Sequence, residues 1–88
     1  MRESDIEDYL HKRVTALGGE WRRLKWLGRS HAADDFVMLP GRHAFIECKR
    51  PGKEPRSGQA READRLRAAG CEVHAVSTTA EIDLIFPL

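Results

Sequence analysis

With 88 residues, of which 41% are hydrophobic and 33% charged, the chain has the size and composition of one small globular domain spanning residues 1–88, and long disorder is excluded. No apolar run approaches the roughly 20 residues of a membrane span, and the acidic, polar N-terminus does not resemble a signal peptide, so we expect a cytoplasmic protein. Cys48 and Cys71 lack CxxC spacing. A disulfide framework or a zinc ribbon is therefore not expected.

The net charge of +1 conceals an uneven distribution along the chain. Residues 21–61 contain ten Lys or Arg against four Asp or Glu, whereas the segments on either side are acidic. A basic segment around a few acids is expected where a polyanion is drawn to a metal, although a solvated surface can show the same pattern by chance.

The N-terminal segment predicts an amphipathic helix over residues 4–17, which Gly18 would end. Ser4 and Glu7 fit a capping box, which gives Glu7 a structural explanation. Glu7 borders the apolar stripe and could instead face a sheet, and Glu3 lies one turn away as the alternative acid. The apolar stripe consists of Ile6, Leu10, Val14 and Leu17.

Residues 20–27 predict a first strand, although their alternation is imperfect. Trp21 and Trp26 stand among basic residues, a combination that can bind nucleic acid, but tryptophans at such positions are more often part of a core. Residues 28–31 then predict a loop.

Two apolar strands, residues 34–39 and 43–49, are joined by a turn at Pro40-Gly41. With the turn centred there, cross-strand partners have numbers that sum to 81, which places Asp34 opposite Glu47 with Cβ atoms roughly 5 Å apart. Lys49 shares their face. Two carboxylates so close repel each other unless a cation sits between them, so the hairpin predicts a metal site. Pro40-Gly41 also suits a type II turn, and a bulge would shift this register by one.

Turn-forming and helix-capping residues predict the elements that follow the hairpin. A basic loop over residues 50–56 precedes a helix over 58–69, with Ser57 as its N-cap and Gln59 in its first turn. A fourth strand over 71–77 can run parallel to the preceding strand because a helix connects them. A capping box at residues 78–81 opens a short helix to about residue 85. The fold class is α/β, with the order αβββαβ.

Oxygen ligands such as those of Asp34 and Glu47 suit Mg²⁺ or Mn²⁺. The backbone carbonyl of Cys48 is placed to add a ligand, and Glu7 could add another, directly or through water. Lys49 could orient or deprotonate an attacking water. The four histidines show no HxxxH or HExxH spacing, so a zinc hydrolase is not indicated.

These residues resemble the PD-(D/E)XK nuclease signature, and the chain as a whole is similar to the stand-alone VRR-Nuc (virus-type replication-repair nuclease) domain of phages and bacteria. The similar segments are residues 6–10, 17–19, 28–40, 45–49 and 51–53, Gln59, and residues 66–70. One departure is Ala33, where the family commonly has Pro before the first Asp. It leaves Asp35 as an alternative to Asp34, and only Asp34 falls opposite Glu47.

The resemblance implies a restriction-endonuclease-like core with a central mixed sheet flanked by helices. It also implies a Mg²⁺- or Mn²⁺-dependent endodeoxyribonuclease acting as a homodimer on branched DNA such as Holliday junctions. Its catalytic residues would be Glu7, Asp34, Glu47, Lys49 and Gln59. The expected DNA-binding residues are Arg22, Arg23, Lys25, Arg29, His31, Arg50, Lys53 and Arg56. The alternatives are a catalytically silent DNA-binding module of the same fold and a structural protein whose acidic pair is accidental.

Overall fold

A computed structural model describes all 88 residues as a four-stranded sheet with three helices. The elements are α1 (Glu3–Ala16), β1 (Glu20–Arg23), β2 (Asp35–Leu39), β3 (Arg42–Cys48), α2 (Ser57–Ala68), β4 (Glu72–Val76) and α3 (Thr79–Ile85). This order confirms the predicted αβββαβ arrangement with a final short helix. None of the three helices has the length and hydrophobicity that a membrane-spanning helix requires.

The sheet is mixed, with spatial order β1-β2-β3-β4. β1, β2 and β3 are antiparallel neighbours, and β4 runs parallel to β3 because α2 carries the chain back across the sheet. In the hairpin, Asp35 pairs with Ile46 and Phe36 with Phe45, so partner numbers sum to 81 as predicted and no bulge intervenes. Gly41 turns the hairpin with φ 72°, a conformation that favours glycine.

The hydrophobic core lies on the face of the sheet covered by α1 and α3. Leu10 is fully buried, and removing such a side chain from water contributes roughly 1.5–3 kcal/mol. Alternation along β2 sends Asp35 and Val37 into this core and Phe36 to the opposite face, where α2 packs near β4. The core consists of Ile6, Leu10, Val14, Val37, Ala44, Ile46, Cys48, Val76, Ile82 and Phe86.

The first strand is shorter than predicted and ends at Arg23 instead of residue 27. The backbone N–H of Leu24 still donates to the carbonyl of Asp34 (2.7 Å), but the chain then leaves the sheet, and Leu27 is 89% exposed. Trp26 is held by a hydrogen bond from its Nε1 to the carbonyl of Ala33 (2.8 Å). Only the first half of the predicted strand pairs with β2, which explains the imperfect alternation of residues 20–27.

Two predicted N-caps are wrong by one or two residues. α1 begins earlier, with Asp5 accepting from the backbone N–H of Arg2 (2.7 Å), so Ser4 lies inside the helix. α2 begins at Ser57 itself, and Arg56 precedes it. The cap at Thr78 is confirmed, because its hydroxyl accepts from the backbone N–H of Glu81 (3.1 Å). Displacing the α1 cap from Ser4 leaves Glu7 without the capping role that the sequence allowed.

Arg42 joins three elements at the edge of the core, and its loss is expected to destabilise the fold. It donates to both carboxylate oxygens of Glu72 on β4 (2.6 and 2.9 Å) and to the carbonyl of Ile85 on α3 (2.7 Å). Hydrogen bonds from Arg42, then from His74, lower the pKa of Glu72 to about 2. Because that pKa is depressed, the pair stabilises the protein above about pH 4.5 and is lost as the pH falls toward 2.

We therefore expect Arg42→Met to lower the free energy of unfolding by about 1–2 kcal/mol at pH 7, a value discounted because both side chains are partly solvated. The loss should shrink below pH 3, as urea titrations at both pH values would show. Arg22→Met is the matched control, since its partner Glu20 is exposed and the pair contributes little. An equal effect of the two substitutions would contradict the role given to Arg42.

Candidate functional site

Glu47 lies near the end of β3 with its carboxylate on the face opposite the core, and it is only 8% exposed. Its Oε1 is 3.3 Å from Nζ of Lys49 and accepts a hydrogen bond from Nε2 of Gln59 (3.3 Å). Its Oε2 is buried and has no hydrogen-bond partner. Burying a carboxylate oxygen without a partner costs free energy. Either a proton on Oε2 or a bound cation would remove that cost.

Asp34 directly precedes β2, and extending the hairpin register by one residue places it opposite Glu47. Burial, and then the negative charge of Asp34, raise the pKa of Glu47 to about 7, while Lys49 acts in the opposite direction. Directly opposed residues of an antiparallel pair lie on the same face, so this register places the two carboxyl groups close together. The structure therefore brings together four of the predicted site residues, which we call the Glu47 site: Asp34, Glu47, Lys49 and Gln59.

Backbone contacts hold the side chains of the Glu47 site in place. The N–H of Lys49 donates to the carbonyl of Val76 (2.8 Å), which extends the pairing of β3 with β4 by one residue. The side-chain carbonyl of Gln59 accepts from the backbone N–H of Arg56 (2.9 Å) at the start of α2. With its oxygen so engaged, the amide group of Gln59 is oriented to donate to Glu47.

The chemistry of the Glu47 site fits a hard divalent cation. Two neighbouring carboxylates supply oxygen ligands, and Oε2 of Glu47 is free to take one coordination position. A cation between Asp34 and Glu47 would also remove the repulsion that raises the pKa of Glu47. A cleft lined by Glu47, Gln59, His31 and Ala75 lies alongside, next to the position that such an ion would take.

Glu7, predicted as the acid of the first helix, faces inward, whereas Glu3 is exposed. Its immediate neighbours, however, are on the core side of the sheet. Its Oε1 is 3.2 Å from Nη1 of Arg23. Burial, then the adjacent Asp35, raise its pKa to about 7. Glu7 thus lies with Asp35, while Asp34 lies with Glu47.

His11 is a residue that the sequence reasoning missed, and Asp35 was considered there only as an alternative to Asp34. Nε2 of His11 is 2.8 Å from Oδ1 of the fully buried Asp35, and ligand atoms of Glu7, His11 and Asp35 all lie within 4.8 Å of one another. We call these three residues the α1-face cluster. The spacing of Glu7 and His11, one helical turn apart, and the inward phase of Asp35 were the available signals. Burial, then the charges of Asp35, Glu7, Asp34 and Glu47, raise the pKa of the Cys48 thiol, which is part of the core.

All eight predicted DNA-binding residues are exposed. Some of them are already engaged within the chain: Arg29 donates to the buried Glu62 (3.3 Å from Nε), and Arg23 pairs with Glu7. Arg29 and His31 line a polar cleft together with Arg61 and Arg65 of α2, two arginines that the sequence reasoning did not select. The cleft adjoins the Glu47 site, because His31 lines both.

Comparison with known proteins agrees with the fold. No family model matches the chain. Over 74 residues the chain is 40% identical to "Putative nuclease p44" of Acyrthosiphon pisum secondary endosymbiont phage 1, a match that covers 83% of this chain and 80% of that protein. A solved structure described as "VRR_NUC domain" superposes with a TM-score of 0.87 at 36% identity, over 94% of this chain and 91% of the other. The chain therefore belongs to the VRR-Nuc family of nucleases.

Proposed function

We propose that this nuclease is a Mg²⁺- or Mn²⁺-dependent endonuclease that hydrolyses phosphodiester bonds in branched DNA, including Holliday junctions. The observation that carries the proposal is the Glu47 site, in which a buried carboxylate with one unpaired oxygen lies beside a second carboxylate and a lysine. In this arrangement the two carboxylates repel each other and one of them is buried, and both effects destabilise the folded protein. A module that only bound DNA would gain nothing from it.

The divalent ion would be held by the carboxylates of Asp34 and Glu47 and by the backbone carbonyl of Cys48. When bound, it would stabilise negative charge on the scissile phosphate and make a water molecule more acidic. Lys49 orients the attacking water as an ammonium group or, after giving up its own proton, accepts the proton of that water, and Gln59 keeps Glu47 in position through their hydrogen bond. Glu7 remains a proposed member of the site, acting from α1.

Binding of the DNA backbone would use the exposed basic side chains around the site. Lys53 and Arg56 follow Lys49 in the loop before α2, and the cleft of Arg61 and Arg65 extends the positive surface along that helix. Such contacts position a phosphate chain without reading sequence. The protein would thus recognise the shape of DNA, and we expect it to act in the cytoplasm of a bacterial host.

A homodimer would give two Glu47 sites and allow opposite strands to be cut. The face of β2 and β3 opposite the core supports association, because Phe36, Phe45 and Trp26 form a half-buried aromatic group there. Their ring centroids are 4.9 Å apart for Phe36 and Phe45, and 5.5 Å apart for Trp26 and Phe45. The preference for branched DNA rests on the resemblance of stand-alone VRR-Nuc proteins to junction resolvases.

The test is incubation of the protein with a four-way junction and with a linear duplex of the same sequence, in Mg²⁺, Mn²⁺ or EDTA. We expect cleavage of the junction in either metal, little cleavage of the duplex, and none in EDTA or with Asp34→Asn. Equal cleavage of both substrates would remove the branched-DNA preference. Absence of cleavage in every metal, with junction binding retained, would favour the catalytically silent alternative.

A further inference from the structure

A polar cleft lies between the loop that precedes β2 and the first turns of α2. Residues 28–31 of the loop form one wall, and Gly58, Arg61 and Arg65 of α2 form the other, with no acidic residue on either side. Arg61 and Arg65 are four residues apart, so both lie on the same side of the helix. Gly58 belongs to the first helical turn, where free backbone N–H groups favour a bound anion. This cleft, which we call the Arg65 cleft, has the composition of an anion site.

Glu62 holds two arginines of the Arg65 cleft in fixed positions. Its side chain is only 6% exposed, and its two carboxylate oxygens accept hydrogen bonds from Nε (3.3 Å) and Nη2 (2.5 Å) of Arg29. Oε1 also accepts from Nη1 of Arg65 (3.0 Å). The two arginine side chains remain 49% and 59% exposed, and a guanidinium group has five N–H donors, so each keeps donors for a ligand. Glu62 therefore joins the loop to α2 and preorders two cationic groups.

His31 packs directly against Gly58 and completes the wall of the Arg65 cleft. A Cβ atom at Gly58 would lie 2.8 Å from Cδ2 of His31, so this approach requires glycine. His31 has φ 65°, a conformation that a residue other than glycine keeps where surrounding contacts hold it. The same side chain lines the cleft beside Glu47. The two clefts thus share one side chain, an arrangement that suits neighbouring groups of a single nucleic-acid strand.

We propose that the Arg65 cleft is a clamp for one phosphodiester group of the DNA strand that is cut, with Glu62 as its positioning residue. The inference rests on the proposed function for the identity of the ligand, and it adds the place where a flanking phosphate is held. Guanidinium groups match phosphate oxygens with paired N–H donors. Such contacts set the register of DNA without reading its sequence. A merely solvated basic surface would have no need of a buried acid between its arginines.

The test compares Glu62→Gln with Asp64→Asn, since each removes one negative charge from α2. Asp64 is 75% exposed and pairs with Arg67, so it serves as the matched control. The affinities for a four-way junction and a linear duplex are measured by fluorescence anisotropy in EDTA at low salt. We expect Glu62→Gln to weaken binding of both DNAs roughly three- to tenfold, the range for loss of one preordered side chain, and Asp64→Asn not to weaken it. Tighter binding by Glu62→Gln, as charge alone predicts, would overturn the clamp.

Arg65→Gln and Gly58→Ala keep the clamp testable if the first variant does not fold. Arg65→Gln should reduce the slope of log Kd against log salt concentration by about 1, as expected for the loss of one phosphate contact. Gly58→Ala should displace His31 and weaken DNA binding without lowering the Tm, because alanine otherwise favours a helix. An unchanged salt slope in Arg65→Gln, or unchanged DNA affinity in Gly58→Ala, would contradict the clamp.

These binding measurements separate the clamp from the proposed function, because they require neither a metal nor cleavage. A protein that cuts no DNA, but whose DNA binding is weakened by Glu62→Gln, would refute the proposed function and leave the clamp intact. A protein that cuts junctions, and binds them equally well with and without Glu62→Gln, would refute the clamp alone.

Discussion

Replacing Lys49 with alanine is expected to reduce the rate of junction cleavage roughly 100- to 10,000-fold, the range associated with loss of a proton-transfer group. Nζ of Lys49 is 3.3 Å from Oε1 of Glu47, where it can act on water next to the scissile phosphate. The same ammonium group lowers the pKa of Glu47, so without it Glu47 is more often protonated at neutral pH and is a weaker metal ligand. Both effects lower the rate of junction cleavage.

Lys53→Ala is the matched control for Lys49→Ala. Lys53 lies in the basic loop that follows Lys49, is exposed and carries the same charge, whereas the ion pair with Glu47 is made by Lys49. Its loss should weaken DNA binding severalfold and leave the rate at saturating DNA nearly unchanged. Single-turnover cleavage and a binding titration separate the two effects. Cleavage by Lys49→Ala at the wild-type rate would remove Lys49 from the proposed mechanism.

The hairpin is the part of the site that could be predicted from sequence, because its signals are local. Alternation sets which residues share a face, and the Pro40-Gly41 turn sets which residues are opposite. Together these two constraints were sufficient to give the register observed for β2 and β3. They also placed the side chains of Glu47 and Lys49 on one face, where their contact is found.

The α1-face cluster could not be predicted with the same certainty, because it depends on how α1 is placed on the sheet. The helical pattern shows that Ile6 and Leu10 face a core, but it does not fix the height at which Glu7 and His11 meet β2. Arg29 shows the same limit: its charge predicted a DNA contact, and only the packing of α2 reveals Glu62 as its partner. Long-range pairs of polar residues carry no periodic signal in the sequence.

Glu47→Gln is expected to abolish cleavage and, without metal, to stabilise the protein by about 2 kcal/mol at pH 8. The pKa of Glu47 is about 7 in the folded chain and near 4.5 when unfolded. The folded state therefore holds the proton more tightly, and stability falls as the pH rises from about 4.5 through 7. A neutral amide avoids this penalty, and its N–H can donate to Asp34.

Urea titrations in EDTA at pH 8 and pH 5 would measure this difference, which should largely disappear at pH 5. Glu20→Gln, at an exposed position, is the control and should show no pH-dependent gain. Saturating Mg²⁺ should reverse the order at pH 8, since a hundredfold excess over the Kd stabilises the wild-type chain by about 2.7 kcal/mol and cannot do so without its ligand. If wild type is more stable than Glu47→Gln in EDTA at pH 8, the ionised Glu47 does not destabilise the folded protein as proposed. If the order fails to reverse in Mg²⁺, Glu47 does not hold the ion.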